Sequence, residues 1–298
     1  MKSTISLNTA LLLMIVETAL GQVDLRSSKF MSNVWTSWTY YEGACSSSWA
    51  IMPAVAFSEE YNLAYSSSLI FSFQQILECC STCSAGYDNG CMGGDFVKAI
   101  DYLITTGTVR GGTASSGSTW CNNYKLNYCT NDIDLFNGGF GPMCTPSYYD
   151  TSTALDTCNP NGCKPGMTGS SVITKVYSKS QIFYSSYISN MMTTLSSTKK
   201  VIITEMLIYE DFYQIKSPTQ VYVHTWGRLV GSMTVLIYGY NTDAATGLQY
   251  WIVRVPMGPG FGGDNSYIKV LKGVNMAGIE NPGSGYYINI LNSSGVVV

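Results

Sequence analysis

Charged side chains are scarce in this sequence. They make up 12% of the 298 residues, and the formal net charge is only −3. Lysine and arginine form no cluster, so the sequence has no phosphate-binding pattern and nucleic acid is excluded as a predicted partner. Histidine is scarcer still, with His224 as the single copy. Neither a metal nor a cofactor is predicted.

Long apolar runs are also absent. The apolar stretch Ala10 to Val16 is too short for a membrane span, which needs about 20 apolar residues. Lys2 precedes it and Ala19-Leu20-Gly21 follows it, a pattern typical of a secretory signal peptide over residues 1–21, with cleavage before Gln22. The mature chain, residues 22–298, is therefore expected to have no membrane span and to reside outside the cell or in a lysosome-like vacuole.

Cysteine, by contrast, is abundant and confined to the first 163 residues. An even number of cysteines in a secretory protein favours a closed disulfide framework. A zinc site at the C-x-x-C of Cys80 and Cys83 is the alternative, and adjacent Cys79-Cys80 favours bridges over it. One Asn-X-Ser/Thr sequon, at Asn292, predicts a glycosylation site near the C-terminus. The ten cysteines are Cys45, Cys79, Cys80, Cys83, Cys91, Cys121, Cys129, Cys144, Cys158 and Cys163.

The residue patterns of the two halves differ. Trp49 to Tyr61, Ser72 to Cys80 and Phe96 to Leu103 are predicted to be helices. After Ser171 the chain turns to β-branched and aromatic runs separated by turn residues, which predicts antiparallel strands. We therefore expect an α+β fold of two lobes with a cleft between them. The helical lobe is placed at about 34–140, and the β lobe at about 141–290 plus the N-terminal strand.

Two motifs carry a resemblance to a known family. Glu42-Gly-Ala-Cys-Ser-Ser-Ser-Trp-Ala50 is similar to the nucleophile segment of papain-type cysteine peptidases. Leu77-Glu-Cys-Cys80, followed by Cys83 and Gly90-Cys-Met-Gly-Gly94, resembles the cathepsin B branch. Similar stretches continue through Val221–His224, Tyr250–Val253, Asn265–Lys269 and Ala277–Glu280, so the likeness covers about 23–287.

The resemblance implies a papain-like, disulfide-rich fold with a helical lobe and an antiparallel, β-barrel-like lobe. It also implies a pairing for every cysteine. Substrate backbone in the family pairs with a Gly-Gly edge, here Gly93 and Gly94, and Trp49 follows the nucleophile position, so these three are expected at the cleft. The implied bridges are Cys45–Cys91, Cys79–Cys158, Cys80–Cys83, Cys121–Cys163 and Cys129–Cys144.

The positions that carry the family's chemistry are all changed. Ser48 stands at the nucleophile, Met233 at the base, Val255 at the orienting asparagine and Glu42 at the oxyanion glutamine. A thioether accepts no proton, and a carboxylate repels a developing oxyanion. Pro53 is a further departure, because it falls inside the helix that begins at the nucleophile. No catalytic residue is expected to be intact.

Two residues are candidate bases for Ser48. His224 is a substitute base only if the fold brings it to Ser48, and a structural imidazole on a strand is the alternative. Glu42 is the other conceivable partner of Ser48, although a carboxylate activates a hydroxyl poorly.

Two features of active family members are also absent. Almost no chain is left for an inhibitory propeptide before Val23, and Cys129 to Cys144 lacks the histidines of the branch's occluding loop.

The sequence therefore predicts a non-enzyme: an inactive cathepsin B-like homologue that binds peptide or protein in the former substrate cleft. One alternative is a disulfide-stapled scaffold that makes surface contacts through some of its 22 tyrosines. The other is residual peptidase activity through Ser48. The sequence predicts no particular oligomeric state.

Overall fold

The computed structural model describes residues 21–29, 41–43, 45–84, 90–112, 118–126, 155–258 and 260–298. Nearly all of the predicted signal peptide lies outside the described residues, and so do Cys129 and Cys144 with their predicted bridge. No helix in the described ranges combines the length and apolarity needed to cross a bilayer.

The helices follow the predicted pattern with shifted ends. A long helix, α2, is buried on almost every side, so it forms the centre of the helical lobe. It runs through Pro53, although proline cannot donate the backbone hydrogen bond of that turn. Asp95 caps α4 by accepting the N–H of Val97 at 2.8 Å. The helices are α1 (Arg26–Lys29), α2 (Ser48–Tyr65), α3 (Phe73–Cys79), α4 (Phe96–Thr105) and α5 (Tyr187–Thr193).

In the described part of the chain, eight strands form one sheet in the order β2-β8-β3-β5-β6-β7-β4, with β1 paired to β5. The expectation of an antiparallel lobe is wrong in one detail, because β4 pairs with β7 in parallel. Within the described residues β2 and β4 are the two edges and do not pair with each other, so no closed barrel forms. The strands are β1 (Val23–Asp24), β2 (Ser178–Gln181), β3 (Ile202–Tyr209), β4 (Val221–Tyr222), β5 (Leu229–Thr242), β6 (Gln249–Arg254), β7 (Tyr267–Leu271) and β8 (Tyr286–Asn289).

Disulfides stabilise the helical lobe. The structure contains Cys45–Cys91, Cys79–Cys158, Cys80–Cys83 and Cys121–Cys163, which are four of the pairs that the resemblance implies. The bridge between Cys80 and Cys83 also removes the alternative of a zinc site there.

The part of the chain between residue 155 and β2 is joined to the helical lobe. The segment that begins at residue 155 is tied to the helical lobe through Cys158 and Cys163. Thr174 then pairs with Thr108 just after α4, and the sheet begins only at Ser178. Covalent bridges therefore hold this segment against the helices, and composition alone did not indicate that.

Buried polar contacts join α2 to the sheet. Glu59 accepts hydrogen bonds from the Tyr238 hydroxyl at 2.5 Å and from the Arg254 guanidinium at 3.2 Å. The neighbouring Glu60 pairs with Lys200 at 2.6 Å. These contacts hold the C-terminal half of α2 against the sheet.

Candidate functional site

Ser48 is the first residue of α2 and lies at the junction of the lobes. Its hydroxyl oxygen accepts the backbone N–H of Thr234, on β5, at 3.2 Å. Its own N–H donates to the carboxylate oxygen Oε2 of Glu42 at 3.0 Å. The residue is 7% exposed. Both polar groups of Ser48 are therefore engaged with the protein itself.

Glu42 is held in place from both lobes. Its N–H donates to the carbonyl of Pro256 at 3.1 Å, and its carbonyl accepts the Tyr124 hydroxyl at 2.7 Å. Burial raises the pKa of the Glu42 carboxyl to about 7, against the opposing effect of hydrogen bonds from the backbones of Ser48 and Ser47 and from the Ser48 hydroxyl. The carboxyl therefore titrates near neutral pH.

This arrangement occupies the backbone N–H at the start of α2. The N–H at the start of a helix is a good donor to an anion, and acyl transfer uses such donors for the tetrahedral intermediate. Here the donor of Ser48 already points at the Glu42 carboxyl. A substrate carbonyl would have to displace a group that belongs to the same chain.

The other two expected positions lie beside these residues. Met233 is adjacent to Thr234 on β5, faces Met206 of β3 and is 4% exposed. Val255 follows β6 directly, precedes Pro256 and is 1% exposed. The structure thus brings all four sequence-predicted positions to one place, and Glu42 is the only one of them that ionises.

Trp49 packs against the chain segment that contains Gly93 and Gly94. The Trp49 ring is 2% exposed and donates its Nε1–H to the Gly90 carbonyl at 3.0 Å. A Cβ added to Gly94 would lie 2.5 Å from that ring, so only glycine fits. Gly93 has φ +114° and open space on its Cβ side. Trp49 therefore packs beneath Gly94, which is exposed, whereas Gly93 is half-buried.

His224 belongs to a separate cluster. Its Nδ1 lies 3.1 Å from both carboxylate oxygens of Asp211, and its ring stacks on Tyr209 at 3.7 Å. Burial alone raises the pKa of Asp211, but hydrogen bonds from the Thr225 N–H, from His224, from the Trp226 N–H and from the Tyr222 hydroxyl outweigh burial and hold that pKa below its usual value.

The register of the sheet separates this cluster from Ser48. Tyr209, under the His224 ring, pairs with Leu229, whereas Ser48 contacts Thr234. Five residues of strand span about 17 Å. The fold does not bring His224 to Ser48. The Asp211 partner was missed from the sequence, where its only signal is the acidic pair Glu210-Asp211 among apolar and aromatic residues.

The described residues contain no group of three or more His, Cys, Asp or Glu side chains that could hold a metal ion. The site is therefore built from a hydroxyl, a carboxyl, a thioether and aliphatic groups. It has hydrogen-bonding capacity, but no described base other than the Glu42 carboxyl adjoins Ser48.

Comparison with known proteins places the chain in a family. Residues 21–286 match the papain family cysteine protease, and the chain belongs to that family. It is 30% identical over 239 residues to cathepsin B-like cysteine proteinase 4 of Caenorhabditis elegans, covering 80% of this chain and 66% of that protein. It is 27% identical over 244 residues to cathepsin B-like CP2 of Giardia intestinalis, covering 80% and 65%. The chain thus spans about two thirds, or slightly less, of these relatives.

Solved structures share the fold. Procathepsin B S9 from Trypanosoma congolense superposes with a TM-score of 0.63 at 20% identity, over 89% of this chain and 75% of that one. Bromelain from Ananas comosus, solved with the inhibitor E64, gives a TM-score of 0.58 at 18% identity, over 90% and 97%. The predicted papain-like α+β fold is confirmed, and the chain is a cathepsin B-like homologue.

Proposed function

We propose that this protein is an inactive cathepsin B-like homologue that binds peptide or protein in the former substrate cleft without cutting it. The observation that carries the proposal is the contact of the Glu42 carboxyl with the Ser48 N–H at 3.0 Å. That contact turns the expected oxyanion donor inward, beside a nucleophile position that has no thiol.

Three groups used by the family's chemistry are lost here: the thiol nucleophile, the oxyanion donor and the base. One oxyanion donor is worth about 3 kcal/mol of transition-state stabilisation, and here a donor already faces a carboxyl. A serine hydroxyl needs an adjacent base, and the buried thioether of Met233 is not one. Restoring one group alone would leave the others missing, because such groups act as a unit.

The binding part of the proposal rests on the glycine edge. Space is open on the Cβ side of Gly93 and Gly94 is exposed, and extended peptides commonly bind by pairing with exposed backbone. The Trp49 ring beneath Gly94 keeps that edge rigid. A preformed edge of this kind retains peptide affinity after the chemistry is lost.

The scaffold alternative has less support. The exposed tyrosines among the described residues are Tyr65, Tyr177 and Tyr184, whereas most others are buried or half-buried. Tyr177 and Tyr184 flank β2, and Tyr65 ends α2. Most described tyrosines therefore belong to the core.

We also propose a signal peptide over 1–21 and one domain over 22–298, with secretion or delivery to a vacuole and a glycan at Asn292.

The test is hydrolysis of denatured casein and of mixed fluorogenic peptides at pH 5 and pH 7.5, beside the Ser48→Ala variant as control. We expect equal, background rates from both proteins. Turnover that disappears in Ser48→Ala would show a rebuilt serine nucleophile and refute inactivity. Binding is tested by equilibrium dialysis against a tryptic digest of casein, and failure to retain any peptide would refute that part.

A further inference from the structure

The first strand, β1, fixes the position of the chain from Val23 onward. Val23 pairs with Tyr240 of β5, and the Leu25 N–H donates to the Tyr238 carbonyl at 3.0 Å. The two backbones approach closely, because a Cβ added to Gly239 would lie 1.9 Å from the Val23 carbonyl oxygen. The sheet therefore holds this strand firmly, with Val23 as its first residue.

Gln22 lies directly before this strand and is exposed. Within the described ranges, no residue forms a hydrogen bond or an ion pair with Gln22. It borders an open groove of about 470 Å³, whose other walls include Leu63 of α2 and the exposed Lys199. Both the backbone nitrogen and the side-chain amide of Gln22 can therefore move without the loss of a described contact.

We propose that Gln22, once the signal peptide is removed, is a modification site that cyclises to pyroglutamate. The α-amine nitrogen of Gln22 bonds to its own side-chain carbonyl carbon Cδ, and the bond from Cδ to the amide nitrogen breaks. The leaving amide nitrogen takes a proton from the amine and departs as ammonia. The product is a five-membered lactam, and the step needs no oxidant, reductant or second reactant. It rests on the proposed cleavage before Gln22 and not on peptide binding.

The charges around the groove favour the neutral lactam. The α-ammonium of an uncyclised Gln22 would share the groove with the Lys199 ammonium, and like charges repel. The carboxylate of Asp24 also lines the groove, but Arg26 already binds it through Nε at 3.0 Å and Nη2 at 2.7 Å. Cyclisation removes the terminal charge and leaves the peptide bond to Val23 unchanged, so the pairing of β1 is retained.

The lactam also protects the first strand. Aminopeptidases act on a free α-amine, which the lactam does not offer. Removal of Gln22 would move the charged terminus onto Val23, which is half-buried and pairs with Tyr240, itself only 4% exposed. A charge placed there would be partly withdrawn from water, at a cost in stability. The modification therefore keeps the terminal charge out of the sheet.

The test is mass spectrometry of the full chain after secretion from cultured insect cells. Free amines of the intact protein are first blocked by reductive dimethylation, so that a glutamine that cyclises during digestion is not counted. Trypsin cleaves after Arg26, which makes Gln22–Arg26 the N-terminal peptide. We expect this peptide to be undimethylated and lighter by about 17 Da, the mass of the ammonia that is lost. Gln22→Asn is the matched control, because its shorter side chain would have to close a four-membered ring, and its amine should be dimethylated.

Digestion of the two native proteins with leucine aminopeptidase gives a second readout. The wild type should keep residue 22, whereas Gln22→Asn should lose it. A dimethylated Gln22 peptide of full mass would overturn the modification, and so would the same loss of mass at the N-terminus of Gln22→Asn. A peptide that begins at another residue would overturn it too, and would also refute the proposed cleavage site. The peptide-binding function is tested separately by dialysis, and none of these results bears on it.

Discussion

The buried ion pair between Glu60 and Lys200 gives a sharp test of how the two lobes are held together. The Lys200 ammonium lies 2.6 Å from Glu60 Oε2, and the side chains are 9% and 4% exposed. Glu60 lies on α2, and Lys200 stands just before β3, so the pair crosses from one lobe to the other. Lys200→Met keeps much of the apolar stem and removes only the charged end.

The expected loss of stability comes from the Glu60 carboxylate, which Lys200→Met leaves buried without its ion-pair partner. Breaking a buried pair by removing one ion typically costs about 3–5 kcal/mol, because the remaining charge stays out of water. Replacing both ions by apolar residues is often neutral or stabilising. Lys200→Met should therefore lose about 3 kcal/mol or more in the free energy of unfolding, and the double variant Glu60→Leu with Lys200→Met should recover most of that loss.

The assay is urea unfolding at one pH and salt concentration, with the disulfides intact and the transition midpoint compared at constant slope. Lys179→Met is the matched control. Lys179 pairs with Asp101 at the same 2.6 Å, but these side chains are 23% and 54% exposed. Exposed pairs contribute about 0–1 kcal/mol. If Lys200→Met and Lys179→Met lower the free energy of unfolding equally, the reasoning that burial decides the strength of the ion pair is refuted.

Two further predictions concern the site. Folding raises the pKa of Glu42 from 4.5 to about 7. The wild type should therefore lose up to about 3 kcal/mol in the free energy of unfolding, relative to Glu42→Gln, as the pH rises from 4.5 to 8. Parallel pH profiles of the two proteins would contradict this. Gly94→Ala should lower stability by about 1–3 kcal/mol and disturb Trp49 fluorescence, since the added Cβ would lie 2.5 Å from the ring; an unchanged melting temperature and spectrum would show that the ring moves freely.

The local sequence pattern was sufficient to predict the helices. The run from Trp49 predicted a helix to Tyr61, and α2 extends to Tyr65, whose ring stacks on Tyr61, which in turn packs on Phe71. Motif likeness was sufficient for the family. The attachment of the segment after residue 155 to the helices could not be predicted from local pattern, because that segment has little periodicity and its position depends on disulfides to distant cysteines.

The sequence by itself determined which chemical groups are available: a hydroxyl at Ser48, a thioether at Met233, an alkyl group at Val255 and a carboxyl at Glu42. Only the tertiary structure decided what they do together. Sheet register places His224 with Asp211, about 17 Å along the strand from the Ser48 contact. Packing of the two lobes turns Glu42 onto the start of α2, and burial there raises the pKa of its carboxyl against the opposing effect of the backbone donors.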